Sequence, residues 1–371
     1  MAQRPTPSLA LFPLRVAWSV DLPEVRSGAS YWADRAFIPL TGDRLASYDL
    51  RTGAKVWEVP APTSAPPVAD GVSVYLVDGT ALEAYDFGTG DRRWQLPLDA
   101  VPATTISARA GWLFVSLDTG ILAAHRAADG ARLWQCDLGA VAQTAPTVDG
   151  DQVFVPTRDG RVVSLAVQDG ARRWERRLGG APQQIRVVGT RLYVGSADNY
   201  FYSLDASTGV VHWRWRTGGD IVGGPAVDED RVYFVSLDNM VRGLDGRSGA
   251  QRWRQTLSSR PNRGPILAAG VVLVPGVSGA AQGFLAVDGK PAGDLGVTGS
   301  LAGPLHVVEP PMVPLPLVVR VTRSLTGTRL SAQRRDVEPA LAPIAPLPNV
   351  TPVVPVATPG EGNANSGHRD D

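Results

Sequence analysis

The chain has 371 residues, more than one average domain of roughly 150, and Gly (40) and Pro (31) fill about a fifth of it, against roughly 12% in ordinary proteins. That composition argues against a mostly helical protein, while a 44% hydrophobic fraction supplies ample core. Basic and acidic residues balance at 36 each, so bulk electrostatics gives no support to a nucleic-acid or acidic-membrane partner. Only Lys55 and Lys290 are lysines, and neither precedes Ser or Thr, which excludes a Gly-Lys-Ser/Thr phosphate loop. The single Cys136 excludes an intramolecular disulfide framework and a Cys-based zinc cluster. No apolar run reaches the roughly 18 residues of a transmembrane helix.

Residues 1–13 read as an N-terminal extension. Its apolar patch Leu9–Phe12 is broken by Pro7 and Pro13, so neither a secretory leader nor a lipid-attachment cysteine is visible. On this ground the sequence alone predicts a cytoplasmic protein. A short strand, Val16 to Asp21, follows and carries Trp18.

From there a repeat dominates. Trp18, Trp57, Trp94, Trp134, Trp174, Trp213 and Trp253 recur at intervals of 37 to 40 residues. Six of them follow a glycine by four positions: Gly53, Gly90, Gly130, Gly170, Gly209 and Gly249. A seventh turn, Ala286-Val287-Asp288-Gly289, has Gly293 where the tryptophan is expected. Each period holds four short extended runs. In the fourth, Ala145–Val148 leads, Gln152–Pro156 and Arg161–Ala166 flank Asp159-Gly160, and Asp169-Gly170 leads into Ala171–Glu175. Asp-Gly between alternating apolar runs signals a hairpin, because its turn needs positive φ at both central positions. Four antiparallel strands every ~40 residues describe a propeller blade. Parallel βαβ units would need intervening helices of roughly 10–15 residues, for which there is no room.

The hairpin turn between the second and third strands falls at Gly42, Gly79, Gly120, Gly160, Asn199, Asn239, Gly279 and Gly327. The last hairpin, Leu317–Val321 into Thr328–Ala332, has no Trp-bearing fourth strand after it. The orphan Trp18 strand supplies one. The sequence therefore predicts an all-β, eight-bladed β-propeller of four-stranded antiparallel blades over residues 14–336, closed by its N-terminal strand. Seven blades is the alternative, since the last two repeats are degenerate. Beyond Asp336 the prolines from Pro339 to Pro359 and a polar end read as a disordered, Pro-rich tail over residues 337–371.

The Asp-x-x-Thr-Gly-x-x-x-Trp motif at this period resembles the pyrroloquinoline-quinone (PQQ)-type propeller repeat over about residues 14–336. The family includes quinoprotein alcohol dehydrogenases, with PQQ and calcium in a central funnel. It also includes smaller non-enzymatic propellers, among them the lipoprotein of the outer-membrane β-barrel assembly machinery, which is the nearer in size. The resemblance implies a cell-envelope or periplasmic setting, against the absent leader. It implies a docking role for the tryptophans and nothing about quinone binding.

The enzyme reading asks for an adjacent cysteine pair, yet Cys136 stands alone, two residues after Trp134, as a small buried filler. Glutamates Glu24, Glu58, Glu83 and Glu175 sit in or beside outer strands, and most aspartates occupy turns. The histidines His125, His212, His306 and His368 show no ligand spacing; His212 reads as a solvated surface residue. Gly218–Gly224 reads as an inter-blade loop. No catalytic, cofactor-binding or metal-binding residue is assigned, and no cofactor. The expected binding surface is the face shared by the inter-blade loops and the Gly42-type turns, bearing Asn199, Tyr200, Arg216, Asp220, Asn239, Arg260 and Arg263. Arginine beside aromatic and Asn/Thr neighbours suits a protein or peptide partner. Tyr31 and Trp32 read equally as an exposed aromatic anchor or as core. The sequence thus predicts a monomeric, non-enzymatic scaffold. A quinoprotein dehydrogenase and a sensory ring of a signalling assembly are the alternatives.

Overall fold

The computed structural model describes residues 11–336, except 278, 297 and 298. Every regular element among them is a strand. Seven sheets of four antiparallel strands and an eighth built from both ends of the chain form an eight-bladed propeller. Each blade runs from a short inner strand to an outer one. Blade 1 holds Ser30–Trp32, Arg35–Leu40, Arg44–Asp49 and Lys55–Pro60. Blades 2 to 7 follow over 68–97, 107–137, 147–177, 186–216, 221–256 and 266–295.

In blade 8, Ser300–Leu301 and His306–Val308 form a divided inner strand along Leu317–Ser324. The third strand is Gly327–Arg335, and the fourth is the N-terminal strand Leu14–Leu22, with Trp18 opposite Ala332. This closure removes the open sheet edge. Divided inner strands are the rule: isolated bridges such as Pro261 with Gly276 precede the main inner strand in other blades. Blade 6 joins the two pieces into one strand, Ile221–Val227, with a register shift between Val222 and Ala226. The last four of the seven residues Gly218–Gly224, expected as a loop, are therefore strand.

The turns from Gly42 to Gly279 lie between second and third strands as predicted and Gly327 opens the third strand of blade 8, each with a positive φ at the glycine or asparagine. The tryptophans act between blades. Each indole Nε1 donates to a backbone carbonyl of the next blade: Trp18 to Leu50, Trp57 to Phe87, Trp94 to Ala127, Trp134 to Val167, Trp174 to Ala206, Trp213 to Gly246 and Trp253 to Ala286, all at 2.8–3.1 Å. The ring then lies flat on that blade's turn glycine. Gly209 has φ +70, and a Cβ there would sit 2.5 Å from the Trp174 ring. The glycine is required twice, for the left-handed turn and as the floor of its neighbour's tryptophan.

Seven tryptophans seal seven of the eight blade junctions. At the eighth, blade 7 to blade 8, Gly293 replaces the tryptophan and faces Gly283. Phe12 fills the space: a Cβ on Gly293 would lie 2.6 Å from the Phe12 ring. Leu11 beside it is 1% exposed and packs with Val271, Leu273, Leu295 and Val318. Cys136 shares the Trp134 face as expected but is half-buried, because the outer strand lies at the rim. Glu83 is on a third strand and buried, accepting from Tyr85 Oη at 2.5 Å. His212 lies 3.7 Å from Asp205 on the surface.

Candidate functional site

The loop face is built by backbone hydrogen bonds that tie each turn to the loops beside it. Thr217 N donates to Asn199 O and Leu257 N to Asn239 O, both at 2.8 Å. Gly120 and Gly160 accept the same bond from Leu138 and Leu178. Asn199 (φ 65) and Asn239 (φ 59) thus occupy left-handed turn positions, which explains the residue type by backbone demand. Leu237 N donates to Asp220 O, and Val277 N to Arg260 O, so these loop residues adjoin the turns of blades 6 and 7. The seven expected binding residues consequently share one face over blades 5 to 7.

Turn carboxylates fix this face. Asp238 receives Gly218 N at 3.0 Å, Ser236 Oγ at 2.6 Å and Arg242 Nη2 at 2.7 Å. Burial alone would raise its pKa, but the bonds from Arg242, Ser236 and Gly218 hold it below the usual carboxylate range. Asp198 takes Gly179 N and Tyr202 Oη at 3.0 and 2.6 Å; burial and that bond push the Tyr202 hydroxyl up to about 12. The sequence marks such aspartates as local turn formers; in the fold they also bridge to the preceding inter-blade loop.

Three of the seven side chains on this frame are arginines, against one exposed carboxylate, Asp220. Arg214 lies over the Tyr200 ring at 4.8 Å, and Tyr200 pairs with Arg216 on the neighbouring strand. Arg216, Arg260 and Arg263 are exposed, and none has a carboxylate within 4 Å among the described residues. The chain is neutral overall, yet this sector presents uncompensated guanidiniums.

Beside this face lies a cavity of about 580 Å³ lined by Gln183, Gln184, Arg186, Asn262 and Arg263 together with residues of blades 6, 7 and 8. Gly223 and Gly224 press against Gly264, where an added Cβ would collide with the opposite backbone. Tyr31 stacks on His306 with centroids 4.8 Å apart, so it is packing, while Trp32 is 40% exposed at the other channel end. The cavity lining contains no Asp or Glu, so it offers no carboxylate set for the calcium of a quinone-calcium pair. Among the described residues no group of three or more His, Cys, Asp or Glu is placed to hold a metal ion.

Residues 15–111, 106–189 and 177–301 match the family model described as outer membrane protein assembly factor BamB. The chain belongs to that family. No curated protein sequence matches it. Among solved structures, BamB from Moraxella catarrhalis superposes with a TM-score of 0.72 at 18% identity, over 88% of this chain and 99% of that one. The computationally designed Ika8 protein gives 0.71 at 14%, covering 85% and 97%. A quinohemoprotein alcohol dehydrogenase from Pseudomonas putida gives 0.68 at 12%, covering 86% and 76%. At these identities the structural likeness establishes the fold. The BamB-family propeller also has no helix long and apolar enough to cross a membrane among its described residues.

Proposed function

We propose that this BamB-family propeller is a non-enzymatic scaffold that binds a protein or peptide partner through the loop face of blades 5 to 7, in cell-envelope protein assembly. The observation that carries the reading is the set of exposed, unpaired arginines, Arg216, Arg260 and Arg263, on a frame fixed by backbone bonds. Unpaired guanidiniums match carboxylates in fork geometry, and the fixed backbone beneath them leaves only their side chains to be ordered when the partner arrives. The partner surface is therefore acidic, with Tyr200 and the Asn199 and Asn239 turns at its margin. The envelope setting rests on the family alone.

The test is a charge reversal, Arg216→Glu with Arg260→Glu and Arg263→Glu, in the full chain. Affinity capture from envelope fractions is expected to retain a specific partner with the wild type and lose it with the variant, at unchanged melting temperature. Equal retention by both proteins removes the loop face from the account. Saturable binding of PQQ with calcium, accompanied by dye-linked alcohol oxidation, overturns the non-enzymatic reading.

A further inference from the structure

A second polar feature lies away from the arginine sector, at the junction that lacks a tryptophan. In every blade, one residue of the second strand pairs with the third-strand residue just before the one opposite the tryptophan position. In blades 1 to 7 it is Ile38, Leu76, Val115, Val155, Val194, Phe234 and Val274, each at most 3% exposed and facing the preceding blade. In blade 8 it is Arg320, opposite Ser331.

Arg320 is only 4% exposed. Its Nη1 donates to Gly296 O at 2.8 Å, and its Nε is buried with no partner. No carboxylate lies within 4 Å of it among the described residues. Burial with no opposing charge depresses its pKa from the ordinary arginine value. An isolated cation at an apolar core position is costly unless something compensates it.

Arg320 forms part of the wall of a cleft of about 350 Å³ on the blade 8 face turned toward blade 7. The hydroxyls of Thr322 and Ser331 flank it, both side chains being buried, and Ser19 and Ser324 stand further out. Arg329, at the rim, is already neutralised by Asp21, its Nε donating at 2.7 Å. The cleft therefore holds one surplus positive charge, at its most buried point, ringed by hydroxyl donors.

We propose that this cleft is a binding site for a small oxyanion, a carboxylate or a phosphate group, seated against the guanidinium of Arg320. The guanidinium fork matches two oxygens of either group, and hydroxyls complete the shell. The site is independent of the loop-face reading and uses none of its residues.

The experiment is calorimetric titration of the full chain, at fixed ionic strength, with inorganic phosphate and separately with acetate. At least one of them is expected to bind saturably, and which one does separates a tetrahedral phosphate ligand from a planar carboxylate. Arg320→Leu restores the residue that blade 2 carries. It is expected to weaken binding by about tenfold or more while melting no lower than the wild type in the absence of anion. Thr322→Val combined with Ser331→Ala gives a second reading that keeps the arginine, with weaker binding expected. Absence of saturable binding to the wild type by either probe overturns the site, as does equal binding by wild type and both variants.

Discussion

Truncating Phe12 tests how the ring is sealed at its one junction without a tryptophan. The Phe12 ring rests against Gly283 and Gly293, where added Cβ atoms would lie 2.5 and 2.6 Å from it. Phe12→Ala leaves a hole floored by two glycines, which have no side chains to collapse into it, so the cavity persists. Complete burial of a phenylalanine makes its truncation cost roughly 3–5 kcal/mol. Phe12 is half-buried, which brings the expected loss to about 2–3 kcal/mol. The assay is urea unfolding, read as a lower midpoint at unchanged slope. Trp174→Ala is the internal standard: that side chain is 9% exposed and also loses its bond to Ala206 O, so it should cost more. A Phe12→Ala unfolding free energy within about 0.5 kcal/mol of the wild type, the range of an ordinary surface change, refutes the idea that Phe12 stands in for the missing tryptophan.

Three further outcomes follow from the same physics. Deleting residues 1–21 removes most of the strand paired with Gly327–Arg335 and should abolish the cooperative melt of the whole ring; a truncation that melts as the full chain does contradicts closure. At Asn239, where φ is 59, replacement by Gly should be neutral, whereas Val should cost about 1–2 kcal/mol in thermal or urea unfolding. Burial holds both His125 and His306 below the ordinary histidine range, against backbone bonds with Gly130 and Ala33 that favour the charged form. The unfolded chain then binds more protons below pH ~6.5, so this contribution is full above that value and declines as pH falls. The urea midpoint should drop from pH 7.5 to 5.5, and a His125→Leu, His306→Phe variant should drop less; an equal drop assigns the effect elsewhere.

The blade repeat was legible because its signal is local: a turn glycine four residues before a tryptophan, and Asp-Gly pairs between short apolar runs. Where the tryptophan docks is not local. Trp174 lies on Gly209 of the next blade, a contact 35 residues away that periodicity alone does not assign. Phe12 completes a junction nearly 280 residues along the chain, so no window over its neighbours reveals its part. Ile221–Val227 was hidden by glycines that suggest a loop but permit the close approach of Gly223 and Gly224 to Gly264. Topology places the loop-face residues on one side of the ring, as the backbone bonds do, yet Asn199 and Asn239 owe their identity to left-handed φ. Arg320 carried a signal that alignment of the repeats exposes, an arginine inside the run Leu317-Val318-Val319-Arg320-Val321 where seven other blades have an apolar residue. Its isolation from any carboxylate, however, appears only once blades 7 and 8 are placed together.

The proposed binding face is tested most directly by site-specific photocrosslinking in cells. A photoreactive residue would replace Arg216 or Arg260 on the loop face, or Arg247, which is exposed in a turn between third and fourth strands on the opposite face. The account predicts one discrete adduct from positions 216 and 260 and none from 247. Adducts from 247 alone, or equally from all three positions, contradict it.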